Sequence, residues 1–141
     1  MSATAGFNTS PTWVKFTKTY ADFSAASTTG TVTLKTLPYK AVLHAAVLQH
    51  TESFTGGSIS AYTIKVGVSG TTNKYVAATD VYASAANTTF APASSTTPFS
   101  PTMINSDTDV AIIATATSTG ANTSAATAGS VDIWLLVSIL P

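Results

Sequence analysis

The sequence predicts an all-β protein: a two-sheet β-sandwich, most like a jelly roll, of about eight strands, preceded by an extended N-terminal arm. Three observations carry this. Thr, with Val and Ile, dominates the long segments, and these stiff β-branched side chains fit a pleated surface. Several of those segments alternate apolar and polar residues with period two, so that one face is apolar. Gly, Pro, Asn and Ser break them at short intervals. The division that follows is an arm over residues 1–11 and a single sandwich domain over residues 12–141.

In chain order, Met1 to Pro11 is small and polar, with Phe7 as its anchor. Thr12 to Tyr20 reads as a strand with Val14, Phe16 and Tyr20 on one face and Trp13, Thr17 and Thr19 on the other. Thr31 to Leu37 is the next strand, and Pro38-Tyr39-Lys40 a turn. Ala41 to Thr51 follows. Its first ten residues are rich in Ala, Leu and Gln, which are good helix formers, and Val42, Ala45, Ala46 and Gln49 would share a helix face. No sharply polar face stands opposite, so strand is the better reading and helix the alternative. Gly56-Gly57 is the strongest hairpin signal in the chain, because paired glycines reach positive φ without steric cost.

Ser60 to Ser69 alternates cleanly, with Tyr62, Ile64, Val66 and Val68 inward, before a turn at Gly70-Thr71-Thr72-Asn73. Tyr75 to Ala86 is open between strand and a short helix. Ala91 to Pro101 carries three prolines and reads as extended, at an edge or in a loop. Asp109 to Thr117 alternates again. Ser118 to Gly129 is a long Gly/Ala/Ser/Thr loop with little to order it alone, which suggests that a partner does so. Ser130 to Leu140 is apolar on both faces, as in a strand covered on both sides.

Composition narrows the function. The 141 residues include 9% charged residues, against about 25% in ordinary soluble domains. The six basic residues are all Lys and are balanced by six acids, so no basic stripe for phosphates exists and no nucleic-acid partner is expected. A surface so poor in charge is kept soluble by hydroxyls or is covered by neighbours. No Cys is present, which removes disulfides and thiolate metal sites. Residues 1–6 lack the charged and apolar regions of a signal peptide. The longest apolar run, Ile133 to Val137, is far short of the roughly 18 residues that span a bilayer, so no membrane partner is expected.

Motifs of chemistry fail one by one. His44 and His50 would share a strand face at about 20 Å separation, or oppose each other on a helix, and could not chelate one ion together. Asn105-Ser106-Asp107-Thr108-Asp109 opens like a Ca²⁺ loop, but Val110 and Ala116 stand where Gly and Glu are needed, leaving an Asx-type turn as the better reading. Gly67-Val68-Ser69-Gly70 misses a nucleophile elbow, with Thr71 in place of the last Gly. No phosphate loop is present. Three N-glycosylation sequons, at Asn8, Asn87 and Asn122, are what a chain this rich in Thr and Ser produces by chance. The expectation is a protein that is not an enzyme and holds no cofactor or metal. The large rings remain. Phe7, Trp13, Tyr39, Phe54 and Trp134 are the candidate subunit-interface residues, with core packing as the alternative.

Three stretches resemble a recurrent pattern in small virion proteins of tailed bacteriophages. The first is Thr33-Leu34-Lys35-Thr36-Leu37-Pro38 running into Ala41-Val42-Leu43 and ending in Phe54-Thr55-Gly56-Gly57. The second is Lys65-Val66-Gly67-Val68 followed by Lys74-Tyr75-Val76-Ala77-Ala78-Thr79-Asp80. The third joins Asn105-Ser106-Asp107-Thr108-Asp109-Val110, Thr117-Ser118-Thr119-Gly120-Ala121-Asn122 and Ala128-Gly129-Ser130-Val131-Asp132-Ile133-Trp134. The resemblance spans residues 33–134 and consists mainly of turns and strands. It implies a β-sandwich head or tail component in the virion and transfers no catalytic residue. The expected role is a capsid decoration, or cement, protein that forms a homo-oligomer, guessed as a trimer, and bridges major capsid subunits. A tail, fibre-base or head–tail junction component is the first alternative. A carbohydrate-binding sandwich is the second, although Trp13, Tyr39 and Tyr62 do not obviously form an aromatic platform.

Overall fold

The computed structural model describes residues 10–82, 90–91, 102–103 and 109–140. Nine strands follow in chain order: β1 (Thr12–Thr19), β2 (Thr29–Leu37), β3 (Ala41–Thr55), β4 (Ala61–Val68), β5 (Thr71–Asp80), the two-residue β6 (Phe90–Ala91) and β7 (Thr102–Met103), β8 (Val110–Thr119) and β9 (Ala128–Ile139). One sheet has the order β1-β9-β3, with β6 and β7 both on the far edge of β3; the other has the order β2-β8-β4-β5. Every ladder is antiparallel.

The pairing is that of one long hairpin rolled up. The first strand meets the last, β2 meets β8, β3 meets β6 and β7, and β4 meets β5. That is a jelly roll. Leu48 faces Ala91 and Val42 faces Met103, so β6 and β7 lie along the same edge of β3.

The core lies between the sheets and comes from the alternation. From the first sheet it takes Leu43, Leu48, Val131, Ile133 and Leu135; from the second, Tyr62, Ile64, Val66, Ile112 and Ala114. The helix alternative for 41–50 fails, because that stretch is the central part of β3, and residues 71–80 are strand as well. Of the ambiguous stretch after Tyr75, residues 83–86 lie outside the described residues.

Bulges correct the face assignment of the histidines. Leu43 faces Val137 and Ala45 faces Leu136, so His44 is an extra residue on β3. The parity flips there. Ala41 and Leu43 point inward before it, and Ala46, Leu48 and His50 after it. His44 therefore stands on the outer face, with Nε2 at 2.7 Å from Ser138 Oγ, while His50 is buried in the core.

The strongest hairpin signal is no hairpin. Gly56 and Gly57 join β3 to β4, which belong to different sheets, so they turn a corner of the sandwich. A Cβ on Gly56 would stand 2.5 Å from the Ala125 carbonyl oxygen. The hairpin within a sheet is the Ser69-Gly70 turn between β4 and β5.

The loop before β9 is also not what its composition suggests. Residues 123–125 form a 3₁₀ turn, and Thr123 is fully buried. Its N–H donates to Ser27 O at 2.9 Å, and its Oγ1 accepts from Ala25 N at 3.0 Å and lies 3.3 Å from the carbonyls of both Ala25 and Ser27. Ser124 N donates to Ala25 O, and Thr127 N to Thr55 O. The protein's own 24–28 segment and the end of β3 thus order the loop, with no partner needed. Next to it, Gly129 (φ +134°) leaves room for the Phe54 ring, which a Cβ would meet at 2.3 Å. That ring stacks on Tyr62 at 4.7 Å and takes Phe23 edge-on at 6.2 Å.

Two outcomes are expected. Thr123→Val keeps the shape and removes the hydroxyl that binds two segments together, so it should cost about 1–3 kcal/mol in urea unfolding at neutral pH. The second concerns protons. Burial pushes the His50 pKa below its ordinary 6.5, against the Glu52 backbone hydrogen bond and the Asp80 charge, which act to raise it. A lowered folded pKa means that the unfolded chain takes up the proton first. The His50 contribution is complete above pH 6.5 and shrinks as pH falls below it, by at most about 1.4 kcal/mol per unit. Urea midpoints at pH 7.5 and 5.5 should converge for His50→Leu and separate for the unaltered protein.

Candidate docking site

Among the described residues, strand β1 hydrogen-bonds with β9 alone and β2 with β8 alone, so each presents one edge that no other described strand pairs. The two edges lie on the same side of the sandwich. Packed sheets sit about 10 Å apart, a gap that side chains must fill. Phe16 is half-buried against the core, but nearer the start of β1 the inward positions hold only Thr12 and Val14, which are too short. A cleft of about 400 Å³ results. Its walls are Val14, Phe16, Leu37, Leu135, Val137 and Ile139, with Ser10 and Lys35 at its margins.

Among the described residues, two of the exposed large apolar side chains, Val14 and Ile139, line this cleft, and the others lie at the corner beside it. Trp13, Val14, Tyr39, Ile139 and Leu140 are between 38% and 55% exposed. The ladder explains why they converge. Thr12 faces Val137, Ala41 faces Ile139, and Leu140 N donates to Lys40 O at 3.0 Å, so the start of β1, the β2–β3 turn and the end of β9 form one corner. Lys40 holds the turn at φ 71°, and its Nζ lies 5.5 Å from the Tyr39 ring centre.

The outer face of the β1-β9-β3 sheet continues the corner. Cross-strand rows run Trp13–Leu136–Ala45, then Lys15–Trp134–Val47, then Thr17–Asp132–Gln49. Lys15 Nζ stands 5.5 Å from the Trp134 ring centre, a cation–π contact of about 0.5–1 kcal/mol where exposed. Thr17 Oγ1 donates to Asp132 at 2.6 Å and closes the apolar rows with a polar one. The Trp134 indole N–H is buried and has no acceptor among the described residues.

Of the five rings singled out in the sequence, the structure brings Trp13 and Trp134 into adjacent rows and sets Tyr39 at the same corner. Phe54 belongs to the core, fully buried between Phe23 and Tyr62, and offers no surface to a subunit. Phe7 lies outside the described residues. Sequence reasoning passed over Val14, Ile139 and Leu140. The signal was present in the two apolar faces of Ser130 to Leu140, of which only one can enter a core. Among the described residues, no three of His, Asp or Glu gather where a metal could bind; residues 105–108 of the Ca²⁺-like stretch are not among them. No helix of the described residues is long and apolar enough to cross a membrane.

No protein-family model matches the chain, and no curated protein does. Among solved structures, a chain of the cyanophage Pam1 capsid asymmetric unit is similar, with a TM-score of 0.64 and 18% identity over 96% of this chain and 89% of that one. The likeness is one of fold.

The division into surface and core rings has a direct check. Trp13→Ser should change the unfolding free energy by about 1 kcal/mol or less. Phe54→Ala, which empties the centre of the ring stack, should cost about 3–5 kcal/mol. Equal losses in urea titrations would refute the assignment.

Proposed function

We propose that this protein is a structural component of a phage capsid, a decoration protein that oligomerises on the shell and bridges major capsid subunits. The observation that carries the proposal is the corner itself: an apolar cleft, two open strand edges and the exposed large apolar side chains, all on one side of a rigid sandwich. Monomeric proteins seldom leave such a patch bare. The shared fold with a capsid chain and the sparse charge support the same reading.

The mechanism is structural rather than catalytic. Apolar area removed from water contributes about 25 cal/mol per Å², less the cost of ordering what binds. Trp13 and Tyr39 are the side chains best suited to supply it, since large rings bury much area with few torsions to freeze. An extended arm adds main-chain hydrogen bonds along an open strand edge. A rigid sandwich then transmits load between the subunits it bridges.

Deleting residues 1–11 should weaken binding to shells by at least tenfold in a co-sedimentation titration; unchanged affinity removes the arm from the mechanism. Counting copies per particle tests the location. Hundreds are expected, and six or twelve would place the protein in the tail.

A further inference from the structure

We infer that the cleft between the β1 and β2 edges receives residues 1–9 of a second copy of this chain, with the Phe7 ring seated among Val14, Leu37, Val137 and Ile139. The inference rests on the assembly proposed above, since it needs a second copy alongside.

The arm has the composition of an added strand. Residues 1–9 contain no charge on any side chain and no proline, so nothing there opposes entry into an apolar cleft and no backbone donor is missing. Apart from Met1 and Phe7, its side chains are Ser, Ala, Thr, Gly and Asn. Little but the main chain and one ring is available to bind. Strand addition uses these two things, backbone bonds for affinity and a pocket for one side chain. The open edge of β1 supplies the backbone groups, and the cleft beside it supplies the pocket.

The arm also starts in the right place. Ser10 lies at the margin of the cleft, so each copy carries its arm next to its own receptor. Proline following Ser10 biases that residue toward an extended backbone. Nine extended residues span up to about 30 Å, enough to reach the same corner of an adjacent copy. Copies arranged about a symmetry axis would each give an arm and receive one.

Because the chain has no Cys, introduced thiols report only the contact they are placed to probe. Phe7→Cys combined with Val14→Cys, oxidised in the purified oligomer, should give a ladder of covalent dimers and larger species in most chains. Phe7→Cys with Asn73→Cys, at the opposite edge of the sandwich, should give none. Bonds confined within single chains, or no bonds, overturn the inference. Pairing Phe7→Cys with Ile139→Cys repeats the test at a second exposed wall residue. Phe7→Ser, which changes none of the described residues, should weaken self-association by about tenfold or more; unchanged self-association also overturns it. Shell binding and copy number report separately on the capsid role. A protein that coats shells without forming the interchain bond refutes the cleft alone, and one that forms the bond yet binds no shell refutes the capsid role alone.

Discussion

The molecule depends on β9 being paired on both sides. It lies between β1 and β3 along nearly its whole length, and β1 has no other partner among the described residues. Its inward residues Val131, Ile133 and Leu135 are core, while its outward residues Trp134 and Leu136 form the middle of the exposed rows. One strand thus builds the interior and the surface together. The inner face must be apolar to hold the sheets together, and on the outer face Trp134 and Leu136 pack against the β1 and β3 side chains beside them.

The second constraint is closure of the roll. A hairpin rolled into two sheets leaves edges, and exposed edges invite unwanted pairing unless they are covered or blunted. The far edge of β3 is met by β6 and β7. Beside β1, two edges and a cleft coincide. Charges blunt them only lightly, with Lys15 and Lys18 on β1 and Lys35 on β2. A site of this kind suits addition of another strand better than it suits small-molecule chemistry, because it offers main-chain groups and apolar walls and few convergent polar side chains.

The opposite end is sealed from within. Thr123 binds the 24–28 segment to the loop before β9, and Gly129 lets Phe54 lie flat beneath it. A buried hydroxyl and a missing side chain do there what large apolar residues do elsewhere. The two ends of the sandwich therefore differ in kind, one stitched to itself and one left open.

How much of this was legible before folding follows from range. Period-two alternation is a local property, so the strands from Thr12 to Leu37, from Ser60 to Ser69 and from Asp109 onward stood out, and with them the sandwich. So did the surplus of apolar surface, since a strand apolar on both faces can spend only one on its own core. What only the tertiary structure decided was set by contacts between residues far apart in sequence. The Gly56-Gly57 corner faces Ala125, the bulge at His44 is defined against β9, and Thr123 is ordered by residues nearly a hundred positions away. A bulge moves every later side chain to the other face, and no local pattern records it until the partner strand is in place. The same holds for the docking corner: Trp13, Tyr39 and Ile139 lie far apart along the chain, and pairing of the first strand with the last is what brings them together.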